Sequence, residues 1–183
     1  PNASFPLSDE ATFVPGATVK IAAGYGDQET TIFEGIVVRH GVHIGAGNDA
    51  RLIVECRDKA VKMTLGRRNS NHVDLSDSDI LSKLASAHGL SVDVAETSIV
   101  HKAMVQHYCS DWDFALARAE ANGLVVTPLD GKFIVKAPEV AGEAVLAVTY
   151  GMDIIEFHAD LDARTQFATA QGTAWDPKAQ AIV

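Results

Sequence analysis

Cysteine is scarce in this 183-residue chain, which carries only Cys56 and Cys109. Two such separated thiols give neither a disulfide framework nor the spacing of a zinc site, and they read as small buried residues. Long apolar runs are missing as well. None approaches the roughly 18 residues that a membrane helix needs, so no membrane anchor is expected. No signal-peptide pattern is visible. Positive charge is in short supply: 15 Lys and Arg stand against 24 Asp and Glu, a net charge of −9. Nucleic acid is therefore excluded as the main partner, because phosphate binding needs concentrated positive charge. Arg67-Arg68 is a local basic spot too small to reverse that balance. Catalytic signatures are lacking too, with no G-x-S-x-G elbow, Walker loop or H-E-x-x-H.

What is present is globular. Hydrophobic residues make up 47 % and charged residues 21 %, which excludes general disorder. Residues 1–16 read as an irregular lead-in, in which Asn2-Ala3-Ser4 fits a glycosylation acceptor. Ala17–Gly26 alternates like a strand, Val19 and Ile21 facing one way and Thr18 and Lys20 the other. Thr31–Ile44 is rich in β-branched residues, with Gly35 the expected bulge. Arg51–Lys59 alternates again through Leu52, Val54 and Cys56. The three strands imply an antiparallel meander, part of a barrel or sandwich.

Ser76–Gly89 is predicted as a helix. Ser76 and Asp79 fit a capping box, Ile80, Leu81, Leu84 and His88 form a stripe, and Gly89 is the stop. Leu90–Glu96 reads as a short strand, and Thr97–Cys109 as either loop or extended chain. Asp130-Gly131 lies between two β-rich runs within Gly123–Pro138, the strongest hairpin signal in the chain. Ala144–Gly151 and Asp153–Arg164 are expected to be two further strands. Thr169–Val183 reads as one more strand or a frayed end. No internal repeat at a fixed period is apparent.

Gly45–Ala50, GAGNDA, has the glycine spacing of a dinucleotide loop, but the residues after it read as a strand where that motif needs a helix. It reads as a hairpin loop. His40 and His43 sit three apart in a strand and point to opposite faces. His101 and His107 have no carboxylate or cysteine at ligand spacing. No catalytic, cofactor or metal residue is assigned.

The stretch SDWDFALARAEANG, Ser110–Gly123, raises the one enzymatic question. Asp111, Asp113 and Glu120 are candidate acids. On a helix successive side chains turn by about 100°, so Asp111 and Asp113 diverge by about 200°. Asp113 and Glu120 share a side but are separated by roughly 10 Å of rise, against the roughly 5–9.5 Å of a glycosidase pair. Architecture accounts for more. Ser110 is an N-cap with Asp113 in the capping-box position, and both aspartates favour the helix N-terminus. Trp112, Ala115, Leu116 and Ala119 form one apolar stripe, and Phe114, Ala117 and Ala121 a second. Asp111 with Arg118, and Asp113 with Glu120, fill the flanks. The pattern predicts a helix packed on two sides and ended at Asn122-Gly123.

Taken together, FEGIVVRHGV, LIVECRDKAVKMTLGRRN, DSDILSKLASAHGL, HKAMVQHYCSDWDFALARAEANGL, DGKFIVKAP and IIEFHADLDARTQ resemble the hub region of the VgrG, or Rhs element Vgr, family. That family is related to the phage late control D proteins, and the resemblance runs from about Phe5 to Val183. It implies a mainly β, α+β fold: parts of two β-barrel hub domains flanking a small α/β insertion. Residues 1–66 would belong to the first barrel, 67–138 to the insertion and 139–183 to the start of the second. The implied role is a structural hub of a contractile injection machine, without catalysis. It would be a homotrimer linking a hexameric, Hcp-like tube to a spike, with baseplate, spike-tip and effector proteins as partners. It would be assembled in the bacterial cytoplasm and then exported. Family chains are several-fold longer, and this one begins with Pro1 in place of Met, which suggests a fragment. A phage or phage-derived baseplate is the close alternative. A small hydrolase or glycan-binding domain using Asp111, Asp113 and Glu120 is the alternative from another class.

Overall fold

A computed structural model describes residues 5–47, 49–139, 141–164 and 166–182. Asn2, of the glycosylation pattern, lies outside them. The chain divides into two compact units, Pro1–Val140 and Ala141–Val183. The fold is mainly β, with two α-helices, as the α+β expectation requires.

The first unit opens with two short 3-10 turns, Pro6–Asp9 and Ala11–Phe13. An antiparallel meander follows, formed by β1 (Thr18–Tyr25), β2 (Gln28–Ile44) and β3 (Ala50–Arg57). Leu52, Val54 and Cys56 are half-buried and Ile53 between them is exposed, which is the expected period of two. The sheet is open, and no closed barrel forms among the described residues. Gly35 is not the bulge. It pairs in register with Val19, and the extra residues of β2 are Ile32 and Val38, skipped opposite β1 and β3. Gly35 is needed for a different reason: a Cβ there would lie 2.3 Å from the Arg57 carbonyl oxygen and 2.5 Å from the Phe33 ring. The described residues of GAGNDA lie between β2 and β3, where Gly45 N–H donates to the Asp49 carbonyl at 2.7 Å, as a hairpin connection requires.

A 3-10 turn, Lys59–Thr64, leads into the second half of the unit. There β4 (Arg68–His72) pairs with β8 (Met104–Cys109), and β5 (Leu75–Ser76) with β7 (Val100–His101). Thr97–Cys109 is thus partly extended, as one of its two readings allowed. Helix α1 (Asp77–Ala87) leads to β6 (Ser91–Val94), and helix α2 (Asp111–Ala121) leads to the hairpin of β9 (Val125–Leu129) and β10 (Lys132–Lys136). The sheet order is β6-β10-β9, with β6 parallel and β9 antiparallel to β10. The hairpin turn has positive φ at both Asp130 (49°) and Gly131 (74°), the signature of a tight two-residue turn.

The helices pack on the face of this sheet that carries Phe133 and Val135, both fully buried among Met63, Ile80, Leu81, Leu84, Phe114, Ala115 and Ala119. The α1 stripe forms as expected, except that His88 is half-buried and hydrogen-bonded at its edge. The two-sided packing of α2 does not form. Its buried face is Asp111, Phe114, Ala115 and Ala119, whereas Leu116, Ala117 and Ala121 are exposed. The expected stripes placed Asp111 on a polar flank, and the helix instead turns that aspartate inward.

In the second unit, the expected strands Ala144–Gly151 and Asp153–Arg164 are absent. The described residues there are irregular, apart from a single bridge between Tyr150 and Ile154. Alternation alone forms no strand: a ladder needs a neighbouring backbone, and a lone hairpin is marginal in water. Val145, Leu146, Tyr150, Ile155 and Phe157 stay exposed. The end of the chain is a minimal hairpin, β11 (Trp175–Asp176) with β12 (Ala181–Ile182).

Candidate functional site, a reciprocal pair of buried aspartates

The sequence does contain an internal repeat. Ser110–Leu124 repeats the pattern of Ser76–Leu90: Ser-Asp-x-Asp at the start, an eleven-residue helix, and a half-exposed cap residue followed by Gly-Leu. Each serine hydroxyl accepts from the backbone N–H three residues on, at 3.2 Å for Asp79 and 3.0 Å for Asp113. Around α1 the box is complete, because the Asp79 carboxylate also accepts from Ser76 N–H. Around α2 the Asp113 carboxylate accepts from the Ser110 hydroxyl at 2.7 Å, so the expected reciprocal bond returns to the side chain. Each helix ends with its leucine N–H reaching back to an alanine carbonyl, Leu90 to Ala85 and Leu124 to Ala119. Glycine at positive φ, Gly89 and Gly123, makes both stops possible.

The first residue of each helix is a buried aspartate. Asp77 accepts from Arg118 Nε at 2.6 Å and Nη2 at 2.8 Å, from Asn122 Nδ2 at 2.9 Å, and faces His101 Nε2 at 3.0 Å. Asp111 accepts from Arg68 Nε at 2.6 Å and Gln106 Nε2 at 2.8 Å, and faces His88 Nε2 at 2.7 Å. Both sites therefore hold an arginine, a histidine and a side-chain amide on one carboxylate. The start of α1 grips the end of α2 through Arg118 and Asn122, and the start of α2 grips the cap of α1 through His88. This is a reciprocal clasp. Arg118 serves Asp77 and not Asp111, as the flank pairing had it.

Electrostatics follow from the partners. The Arg118 bond is the largest influence on Asp77; it outweighs burial and, with Asn122 and His101, holds the carboxyl far below the usual carboxylate range. At Asp111 burial is the largest single effect and pushes the pKa up. The bonds from Gln106, His88 and Arg68 together overcome it, and the group stays below its ordinary value. Behind them His72 is buried and stacked on Phe114 with ring centroids 5.6 Å apart. Neither ring nitrogen of His72 nor the Gln106 amide oxygen has a hydrogen-bond partner among the described residues. Burial, and then the charge of Lys83, keep the His72 pKa below that of a free imidazole.

The three candidate acids do not converge. Asp111 is locked in the core, Asp113 is occupied by the cap, and Glu120 is exposed near the far end of α2. His40 Nδ1 lies 2.7 Å from the Phe13 carbonyl, and His43 is exposed. Cys56 and Cys109 are free thiols and half-buried, less enclosed than expected. Among the described residues no three His, Cys, Asp or Glu side chains are grouped to hold a metal. No helix among the described residues is long and apolar enough to cross a membrane. Sequence reasoning missed Asp77, His72 and Gln106, and set Arg68 aside as part of a minor basic spot. The repeated Ser-Asp-x-Asp is the signal that could have found the two aspartates.

Solved structures similar to this chain include two tail proteins. The tail protein from Neisseria meningitidis MC58 matches with a TM-score of 0.58 and 18 % identity, over 75 % of this chain and 45 % of its own. The 43 kDa tail protein of prophage MuSo2 from Shewanella oneidensis matches with a TM-score of 0.48 and 10 % identity, over 58 % of this chain and 34 % of its own. The chain thus spans less than half the length of either. At these identities the Neisseria protein shares the fold. No curated protein matches the chain. The model of the Alg8 N-terminal domain matches residues 1–183, and the chain belongs to that family.

Proposed function

We propose that this chain is a structural module of a tail-like or baseplate-like assembly, of the hub type found in contractile injection machines. What supports the reading is the fold held in common with a tail protein over three quarters of this chain. The family blocks of the VgrG hub point the same way. On this reading the module has no catalytic role. Its partners are further copies of itself in a trimer, an Hcp-like tube protein and the baseplate, with assembly in the bacterial cytoplasm before export. A secretion tip of the VgrG kind is the finer form, and a phage-derived baseplate is its neighbour. The exposed apolar residues Ile21, Ile32, Ile44 and Ile53 of the β1–β3 sheet are the surface such partners would cover. Light scattering on the parent protein that contains this chain tests it. A trimer that co-sediments with tube protein is the expected result, and a full-length monomer that ignores the tube overturns it.

The family description favours a second reading, an N-terminal domain joined to a glycosyltransferase. Sugar transfer by the parent protein that is lost on deleting residues 1–183, together with failure to form a trimer, would establish it over the first.

A further inference from the structure

At the Asp111 end of the clasp, Arg68 is half exposed, whereas Arg118 at the Asp77 end is four-fifths buried. Arg68 opens onto a cavity of about 130 Å³ lined by Leu65, Gly66, Arg67, Arg68, His88 and Asp111. We propose that this cavity is a receptor for a single oxyanion group, a carboxylate or a phosphate. Two guanidinium groups border it, each with a contact that orients it. Arg68 places Nε and Nη2 on the two oxygens of the buried Asp111, at 2.6 and 2.5 Å, and its Nη1 has no protein partner among the described residues. Arg67 lies over the Tyr108 ring, 5.6 Å from its centroid.

Tyr108 is itself held in an unusual state. Its φ is +44°, which a bulky residue adopts rarely and at a cost. The Asn69 amide oxygen accepts its backbone N–H at 2.8 Å and fixes it there. Tyr108 is 63 % exposed, so its ring is available to a neighbouring side chain. The conformation belongs to the bulge where the β4–β8 pairing steps from Arg68–Cys109 to Ser70–Gln106, and there the Tyr108 ring underlies Arg67. Two oriented guanidinium groups offer the forked donors that carboxylates and phosphates accept, and ordering them beforehand lowers the cost of binding. Asp111 opposes an incoming anion, but its charge is already paired with Arg68, it also accepts from Gln106, and it is almost wholly buried. Arg67, which also lines the cavity, then carries the positive charge that Asp111 does not pair. The chain's net charge of −9 gives no long-range attraction, so recognition must be by contact.

The test is a titration of the whole chain, followed by the Arg Nε–Hε signals in NMR, with sodium acetate, inorganic phosphate and sodium chloride at matched ionic strength. The expected result is saturable shifts of Arg67 and Arg68 with acetate or phosphate, at least about tenfold tighter than with chloride. Preference between the two tells a protein carboxylate from a phosphoryl group. Arg67→Gln should weaken binding by about tenfold with the melting temperature unchanged, because Arg67 makes no buried bond. Arg68→Gln unpairs Asp111 and can unfold the unit, so Tyr108→Leu is the second variant, expected to weaken binding in the same direction. Shifts equal to those of chloride, or an Arg67→Gln chain that binds as well as the parent, overturn the proposal.

Discussion

Replacing Asp77 with asparagine tests the clasp most sharply. The substitution keeps the shape and removes the charge. It also turns an acceptor of four donors into a group that accepts on one atom only, opposite Arg118, Asn122 and His101. Arg118 is then left four-fifths buried with no counter-charge. Removing one partner of a buried ion pair costs roughly 3–5 kcal/mol. The remaining access of Arg118 to water lowers that to about 2–4 kcal/mol. For a chain of this size the change corresponds to a fall in melting temperature of roughly 4–16 °C. The assay is thermal and urea unfolding of Asp77→Asn, Arg118→Met and the double variant. The double variant should recover part of the loss, because it removes the stranded charge along with its partner. A loss below about 1 kcal/mol, or a double variant as costly as the two singles added together, would refute the clasp as an energetic unit.

Acid should destabilise the first unit in two stages. His72 has a folded pKa below its ordinary 6.5, so the unfolded chain binds the proton better and stability falls as pH drops through that value. Asp77 and Asp111 have folded values below 3.8, so their contribution is present above that value and is lost as pH falls past it. Urea midpoints measured from pH 7 to 3 check both stages, and a rise in stability between pH 7 and 5 would contradict the first. Ser110→Ala should cost about 0.5–2 kcal/mol through loss of the cap; an unchanged melting temperature would remove that argument. Gly131→Ala should cost about 1 kcal/mol or more, because φ is +74° and the new Cβ would meet Lys59 Cδ at 3.1 Å. A neutral result by circular-dichroism melting would show that the turn relaxes.

Local signals were legible and long-range ones were not. Ser76, Asp79, Gly89 and the Asp130-Gly131 turn act within a few residues, so their chemistry can be read from the order of the chain. The β1–β3 meander was likewise visible in its alternation and turns. Asp111 was misread because a helical wheel sorts residues by polarity, and a carboxylate with three partners from elsewhere in the chain can occupy the buried face. Those partners, Arg68, His88 and Gln106, are brought there by β4, α1 and β8, and no spacing announces them. Residues 144–164 failed in the opposite way. Their alternation is genuine, but a strand is a property of a pair, and the described residues of that unit provide no neighbour.

The clasp also constrains the order in which this chain can be built. Arg118 stands 41 positions after Asp77, and Asp111 stands 43 after Arg68. A ribosome that has released only α1 presents a helix whose first carboxylate still lacks its cation, so that helix stays in water. Its apolar stripe waits longer still, because it packs against Phe133 and Val135 of β10. Both halves of the repeat therefore depend on contacts far along the chain, which slows closure.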